Sequence, residues 1–246
     1  MRRFREPPLP EMLLALLSPV RPIVGVRAFR SLLNDPHDTA QVFRMIRALS
    51  GPHPAWLLWR FRHHPEGARL LRDRPMLLSR LIDRDGLRRL PEGSLGRAYV
   101  DFCDAEGITA DGLVAASESM DIPLDPTTSD LAYIHHRLRD SHDLWHVLTG
   151  YRGDLLGEAA LLAFTFAQTG TPGVALVALG GWWELADAPH RPEIKRAFTR
   201  GRGAAWLPAV RWETLLDQPL DEVRRELGVG APPVYTDVRD DPAAVA

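Results

Sequence analysis

The residues best suited to chemistry lie together in the segment HDLWHVLTGYRGDLLGE, residues 142–158. His142 and His146 are four positions apart, so on a helix both imidazoles project from one face and can bind one ion. Asp143 lies about 100° around that helix from His142 and reaches the same ion only from the edge of the face. Two imidazole nitrogens with one or two carboxylate oxygens form a ligand set that Zn²⁺, Fe²⁺ and Mn²⁺ accept.

Glu158 can join this group only if the chain turns between it and the histidines. On one unbroken helix, sixteen residues would separate Glu158 from His142 by roughly 24 Å. Gly150 and Gly153 can end the first helix, and Asp154 can cap a second helix that carries Glu158. Two antiparallel helices would then bring the carboxylate back to the histidine pair.

The alternative interpretation is that these are ordinary solvated side chains, because a histidine pair at this spacing is by itself a weak motif. However, Trp145 lies between the two histidines, and the segment LLGEAALLAFTF places Glu158 among leucines and phenylalanines. An unpaired carboxylate among apolar side chains is costly, and a metal would satisfy it. The sequence therefore favours a metal site.

The segments that would position this site have helical periodicity, and no strand alternation is evident. One continuous apolar stripe, between a potential cap at Ser94 and a potential stop at Gly107, consists of Leu95, Ala98, Tyr99, Phe102 and Cys103. We predict a single all-α domain over residues 1–229. Residues 230–246 are rich in proline, aspartate and alanine, so we predict a loose C-terminal tail.

The composition is that of an ordinary globular protein of 246 residues, with 45% hydrophobic and 25% charged residues and a formal net charge of −2. This balance gives no indication of a nucleic-acid partner. The one cysteine, Cys103, excludes an internal disulfide and a cysteine-based metal site.

Two apolar stretches could be mistaken for membrane or export segments. Residues 159–183 are about as long as a membrane span, but QTGTPG at 168–173 interrupts them, so we predict two buried helices. The N-terminal stretch MRRFREPPLPEMLLALLSPV has too short an apolar run for a signal peptide, and we predict a short amphipathic helix there. We expect a soluble or peripherally attached protein.

The motif H-D-x-x-H, followed by eleven residues and a glutamate, resembles the signature of the Coq4 family of coenzyme Q biosynthesis proteins. Here it consists of His142, Asp143, His146 and Glu158. The flanking sequence YIHHRLRDSHDLWHVLTG also resembles the family. Weaker similarity extends over nearly the whole chain, through DPHDTAQVFRMIRALSG, LPEGSLGRAYVDF and WETLLDQPLDEVRRELGV.

The resemblance implies an all-α protein that acts in ubiquinone biosynthesis by metal-dependent decarboxylation and hydroxylation at ring carbon C1 of a prenylated 4-hydroxybenzoate-derived intermediate. The four motif residues would hold the metal, with Zn²⁺ ahead of Fe²⁺ or Mn²⁺, and would form the catalytic centre. The implied partners are the prenylated quinone precursor, other ubiquinone biosynthesis enzymes and the membrane surface. We expect a cytoplasmic bacterial protein, peripheral to the inner membrane, that forms a homodimer.

Three residues before the motif are candidates for binding the substrate. Arg137 and Arg139 could hold a carboxylate through paired hydrogen bonds, and Tyr133, one helical turn before Arg137, could orient the same group. The alternatives are packing of Tyr133 and ordinary ion pairs of the arginines with Asp130, Asp140 or Asp143. Walls for the isoprenoid tail could come from Leu155, Leu156, Ala159, Leu162, Ala163 and Phe166, although plain core packing is the stronger explanation, because every α-helical domain needs such helices.

Two other functions stay open. A non-catalytic organiser that presents prenylated intermediates to partner enzymes would hold a structural metal with four protein ligands and no open position. A phosphohydrolase of the HD type also uses a His-Asp dyad, but it usually needs further ligands. His37 and His53 are the candidates for those ligands, without a supporting context, and the spacing to Glu158 argues against this class.

Overall fold

The computed structural model describes residues 9–34, 39–108, 125–184 and 190–238. Within these ranges the regular elements are helices, which confirms the all-α prediction, and the one β-type contact is an isolated bridge between Ser94 and Pro219. The α-helices are α1 (Leu9–Leu16), α2 (Pro22–Asn34), α3 (Thr39–Ser50), α4 (His53–His63), α5 (Pro65–Asp73), α6 (Leu78–Leu81), α7 (Arg84–Arg88), α8 (Leu95–Glu106), α9 (Asp130–Asp140), α10 (His142–Thr149), α11 (Leu155–Thr169), α12 (Pro172–Glu184), α13 (Arg191–Gly203) and α14 (Leu220–Glu226), with 3₁₀ turns at Leu207–Ala209 and Trp212–Thr214.

Local capping signals set the bounds of α8, as predicted. The Ser94 hydroxyl accepts a hydrogen bond from the Arg97 N–H, and Gly107 ends the helix in the left-handed conformation. The predicted apolar stripe faces the interior: Tyr99 and Cys103 are buried, and Phe102 is partly buried against the same core. Sequence-local chemistry therefore determines this helix, and its stripe determines which face packs inward.

The apolar region 159–183 forms two helices, as predicted, because α11 ends at Gly170 and α12 begins at Pro172. Among the described helices, none has the length and apolar character that crossing a bilayer requires. Glycines let α12 approach its neighbours closely. A side chain at Gly173 would overlap the backbone of Ile46 in α3, and one at Gly181 would press on Ala159 in α11.

The helices α10 and α11 are anchored in the largest apolar core. Trp145 is buried in it, 6.3 Å from the Phe164 ring in an edge-on arrangement, and the fully buried Trp212 belongs to the same cluster. A second cluster around Phe61 supports α9, and a third, which includes Met45 and Val177, joins α2, α3 and α12. Trp145 therefore anchors the helix that carries the two histidines.

The predicted tail after Gly230 makes hydrogen bonds to the start of α11 through Val238. The Leu155 N–H donates to the Val238 carbonyl (3.0 Å), and the Val238 N–H donates to Asp154 Oδ1 (3.0 Å). Composition could not reveal this pairing, because its partners lie about eighty positions earlier, where a helix start offers the Leu155 N–H and the capping carboxylate of Asp154. Residues 239–246 lie outside the described residues, and the domain limits stay a prediction.

Candidate metal centre

The turn between α10 and α11 is built from the residues that the sequence indicated. Gly150 adopts a φ of +79°, and its N–H donates to the His146 carbonyl at the end of α10. Asp154 then caps α11, because its side chain accepts hydrogen bonds from the N–H groups of Leu156 (3.2 Å) and Gly157 (3.4 Å). This turn returns Glu158 to the histidine pair.

His142, His146 and Glu158 converge on one point. The distance from His146 Nε2 to Glu158 Oε1 is 3.2 Å, and that from His142 Nε2 to Glu158 Oε2 is 3.9 Å. One ligand atom from each of the three side chains lies within 4.8 Å of the other two. Because a tetrahedral ion with bonds of about 2.1 Å holds its ligand atoms about 3.4 Å apart, the three side chains fit a divalent metal after small shifts.

The other ring nitrogen of each histidine is already engaged. His146 Nδ1 lies 2.9 Å from the Tyr151 carbonyl oxygen, and His142 Nδ1 lies 3.1 Å from Asp143 Oδ1. Both imidazoles therefore direct Nε2 towards Glu158. Metal-binding histidines in proteins commonly have this second hydrogen bond. Asp143 contacts the site through His142, and its predicted role as a metal ligand stays a prediction.

The pair formed by His146 and Glu158 is strongly coupled. Burial lowers the pKa of His146, but the adjacent Glu158 carboxylate outweighs it and raises this pKa to about 8. Partial burial raises the pKa of Glu158, but the two imidazoles outweigh it and lower this pKa to about 2. The metal-free site is therefore an ion pair at neutral pH.

The site is enclosed around His146 and more open around Glu158 and around His142, whose side chain is 31% exposed. The His146 side chain is 1% exposed, whereas that of Glu158 is 42% exposed. The carboxylate is thus less enclosed than its apolar sequence neighbours suggested, because Leu155 and Leu162, which lie on the same face of α11, are themselves only partly buried.

The Phe102 ring of α8 lies against His146, and the next residue, Cys103, lies near Asp143. The Phe102 ring stacks on the His146 ring, with centroids 5.2 Å apart and planes at 19°. Burial, together with the nearby Asp143, raises the pKa of Cys103 to about 11 despite its hydrogen bond with Tyr99, so the thiol is protonated at neutral pH. The sequence pattern assigned Phe102 only to the core, and nothing in its local sequence shows that it contacts His146.

The three predicted substrate-binding residues take part in other contacts. Arg137 is buried and donates to both carboxylate oxygens of Glu213 (2.9 and 3.0 Å). The Tyr133 hydroxyl donates to the Pro75 carbonyl (3.2 Å). Arg139 pairs with Asp140 at 2.7 Å, one of the ion pairs considered as alternatives from the sequence. A role for these residues in substrate binding stays a prediction.

The family model described as "Coenzyme Q (ubiquinone) biosynthesis protein Coq4" matches residues 21–233 of this chain. The chain belongs to the Coq4 family. This membership confirms the resemblance in the motif and places the protein in ubiquinone biosynthesis.

Curated Coq4 relatives support the assignment. The chain is 34% identical over 190 residues to the mitochondrial ubiquinone biosynthesis protein COQ4 of Yarrowia lipolytica, covering 73% of this chain and 67% of that protein. It is 36% identical over 177 residues to the mitochondrial COQ4 homologue of Bos taurus, covering 70% of this chain and 64% of that protein. The match thus spans about two thirds of each relative's length.

A crystal structure of a candidate ubiquinone biosynthesis protein from Nostoc punctiforme superimposes on this chain with a TM-score of 0.65. The two sequences are 24% identical, and the match covers 92% of this chain and all of that one. At this identity the similarity shows the fold alone, and it agrees with the helical architecture described above.

The residues proposed as walls for the isoprenoid tail of a Coq4 substrate divide into two groups. Leu156, Ala159 and Ala163 are buried in the main core, as the packing alternative predicts. Leu155, Leu162 and Phe166 are only partly buried, and the Phe166 ring stacks on Phe198 of α13.

Proposed function

We propose that this Coq4 protein is a metal-dependent enzyme acting at ring carbon C1 of a prenylated 4-hydroxybenzoate-derived intermediate. It removes the carboxyl group from that carbon and introduces a hydroxyl group in its place. The observation that carries the proposal is the convergence of His142, His146 and Glu158 in a chain of a ubiquinone biosynthesis family.

These three side chains would hold a divalent metal, with Zn²⁺ first and Fe²⁺ or Mn²⁺ as alternatives. When bound there, the ion supplies Lewis acidity to a carboxylate or phenol oxygen of the substrate. Among the residues that the structure describes, three side chains converge as ligands, and a metal held by three protein ligands keeps coordination positions open, which favours a catalytic metal over the closed structural site of a non-catalytic organiser.

The protein's own groups prepare the site before a substrate arrives. The Tyr151 carbonyl and the Asp143 carboxylate hold the two imidazoles with Nε2 directed at Glu158. The Phe102 ring, stacked on His146, covers the site on the α8 side. The exposed side of Glu158 is the face at which the aromatic ring of the substrate would be bound.

The proposed reaction is an oxidation and needs an oxidant. For the 4-hydroxybenzoate ring, replacement of the carboxyl group by a hydroxyl group gives a hydroquinone and carbon dioxide and uses one oxygen atom of dioxygen. The second oxygen atom takes the two electrons and two protons that convert the hydroquinone into the quinone, and it leaves as water. Dioxygen is therefore the co-reactant that the proposal requires.

We also propose that the protein lies at an anionic membrane surface, on the cytoplasmic side of the inner membrane, where its prenylated substrate and partner enzymes are found. Several apolar side chains of α1, α2 and the connection between them are exposed, with Leu14 at 67% and Ile23 at 68%. Residues 12–34 contain no acidic residue and three arginines, Arg21, Arg27 and Arg30. Exposed apolar side chains beside positive charge are typical of interfacial helices. The homodimer stays a prediction.

The function is tested by mass spectrometry of prenylated lipids in cells that lack this protein and express wild type, His142→Ala or Glu158→Ala. We expect both variants to accumulate a prenylated ring that keeps its C1 carboxyl group, with ubiquinone falling at least about tenfold because the metal loses a ligand. His63→Ala, which removes an exposed histidine outside the site, serves as the control and should restore ubiquinone.

Full restoration of ubiquinone by both variants would show that the site is dispensable and would favour the non-catalytic organiser. Normal ubiquinone in cells lacking the protein would exclude a required role in the pathway. Loss of ubiquinone without accumulation of a C1-carboxylated intermediate would place the defect at another step.

A further inference from the structure

Residues 231–238, which we call the C-terminal strap, cross the turn between the two helices of the candidate metal centre. The backbone of Val238 pairs with Leu155 and Asp154 at the start of α11. Arg200 of α13 donates one hydrogen bond to Thr149 at the end of α10 (2.9 Å) and another to Ala231 of the strap (3.1 Å). Elements far apart in sequence therefore meet at this turn.

Tyr235 is the strap residue with the most contacts to the turn. The Arg152 guanidinium lies over the Tyr235 ring, 5.2 Å from its centroid, and also pairs with Asp237. The Tyr235 and Tyr151 rings are 6.2 Å apart. The Tyr235 hydroxyl donates to Asp154 Oδ2 at 2.9 Å. The ring and the hydroxyl are both fixed against the turn.

The Tyr151–Arg152 peptide links the strap to His146. Its carbonyl accepts the hydrogen bond from His146 Nδ1 (2.9 Å), and its N–H donates to the Tyr235 hydroxyl (2.8 Å). A trans peptide is planar, and its C=O and N–H point in opposite directions. The hydrogen bond from the peptide N–H to Tyr235 therefore also fixes the direction of the carbonyl at the opposite edge of the same peptide plane.

We propose that Tyr235 is a positioning residue of the metal centre, which makes the C-terminal strap part of the site. The inference rests on the metal binding proposed above. By fixing the Tyr151–Arg152 peptide, the Tyr235 hydroxyl keeps the carbonyl on His146 Nδ1 and so keeps Nε2 directed towards Glu158, where the metal would bind. Without it, the peptide can rotate and His146 loses its fixed acceptor.

Glu193 of α13 provides a second anchor for the same peptide. Its buried carboxylate accepts a hydrogen bond from the Tyr151 hydroxyl at 3.0 Å, and its other oxygen pairs with Arg196 at 2.6 Å. This bond holds the Tyr151 side chain, whereas Tyr235 holds the plane of the peptide that follows. The direction of the carbonyl is therefore the specific contribution of Tyr235.

The test compares full-length wild type with Tyr235→Phe, which keeps the ring and removes only the hydroxyl. Zn²⁺ affinity is measured by competition with a chromophoric chelator, Co²⁺ geometry by visible absorption, and the stability of the metal-free protein by thermal unfolding. We expect roughly tenfold weaker Zn²⁺ binding, the loss typical of a removed contact to a metal ligand, and an altered Co²⁺ spectrum. The metal-free Tm should change by only a few degrees.

Tyr133→Phe is the matched control, because it removes the hydroxyl of a buried tyrosine that donates to the Pro75 carbonyl. Its Zn²⁺ affinity and Co²⁺ spectrum should equal those of wild type. Wild-type affinity in Tyr235→Phe would overturn the inference, as would a loss that only follows the loss of folded protein. If wild type itself binds neither ion, the proposed function fails instead, so the two failures are distinguishable.

Discussion

At the scale of single residues, His146 shows how much of the site depends on hydrogen-bond partners. Its Nε2 faces Glu158, its Nδ1 bonds to Tyr151, and its ring stacks on Phe102. A histidine ligand is useful only when one defined nitrogen is presented to the metal. Three contacts from three different segments fix the orientation of the His146 ring, so that Nε2 is the nitrogen presented to the metal.

His135, one helix earlier, is the residue at which we expect pH to act on stability. Burial and the neighbouring positive groups of His136, Arg139 and Arg47 lower its pKa to about 4. Between this value and the ordinary value of 6.5, the unfolded chain binds a proton that the folded protein excludes. Stability should therefore rise from pH 4 to pH 6.5.

The measurement is urea unfolding of the metal-free protein at pH 4.5, 5.5 and 7. His135→Asn should reduce the pH dependence of the unfolding free energy over this range by about 1–3 kcal/mol. Replacing the exposed His63 by Gln should leave the dependence as in wild type. If the unfolding free energy of His135→Asn depends on pH as strongly as that of wild type, other groups cause the acid sensitivity.

At the scale of elements, α10 is a short helix held at its C-terminal end by arginines from elsewhere in the chain. Arg224 of α14 donates to the carbonyls of Leu148 and Val147, both at 3.0 Å, and Arg200 of α13 donates to that of Thr149. These bonds satisfy carbonyls that have no partner within the helix, and they place positive charge at its negative end. The same end leads into the turn that carries Tyr151.

Gly150 makes this turn possible, and its replacement gives a prediction at the element scale. Its φ of +79° disfavours any side chain, and a Cβ there would overlap Pro232 of the strap. Gly150→Ala should therefore lower the unfolding free energy by about 1–3 kcal/mol in urea denaturation. It should also weaken Zn²⁺ binding.

Gly203 at the end of α13 is the matched control for this prediction. It lacks the positive φ, and the position of its Cβ has no neighbour within 4 Å among the described residues. Gly203→Ala should change stability by less than about 1 kcal/mol. Equal effects of the two substitutions would show that the turn geometry at Gly150 is not limiting.

At the scale of the whole molecule, exposed apolar side chains are concentrated on one group of helices. Besides α1 and α2, the group includes α12, where Leu179 and Trp183 are exposed and Gly180 lies close to Phe29 of α2. Gly181 of α12 contacts Ala159, the residue after Glu158. The apolar surface thus borders the helix that carries the glutamate of the candidate metal centre.

The corresponding prediction concerns vesicle binding, measured by co-sedimentation with anionic phosphatidylglycerol vesicles and neutral phosphatidylcholine vesicles. We expect binding to the anionic vesicles that weakens with salt, because the arginines of α2 contribute. The double variant Leu14→Glu, Ile23→Glu should bind at least about tenfold more weakly, since two exposed apolar contacts become charged. Ile82→Glu, at an exposed apolar position outside these helices, should bind like wild type. Equal vesicle binding by wild type, the double variant and Ile82→Glu would contradict the proposal that α1 and α2 bind the membrane.

The sequence by itself determined the all-α class, the two histidines on one helix face, and the turn that returns Glu158 to them. It could do so because the controlling forces act within a few residues. A glycine ends α10, Asp154 caps α11, and the spacing of His142 and His146 follows from helix geometry.

Only the tertiary structure decided which groups surround these ligands. Arg137 pairs with Glu213, a residue 76 positions away, and the strap returns more than eighty residues later to hold the Tyr151–Arg152 peptide. The partial exposure of Glu158 likewise depends on what packs against α11. Such contacts form between segments whose local sequences have no pattern in common, so they follow from the packing of the helices and not from any one segment.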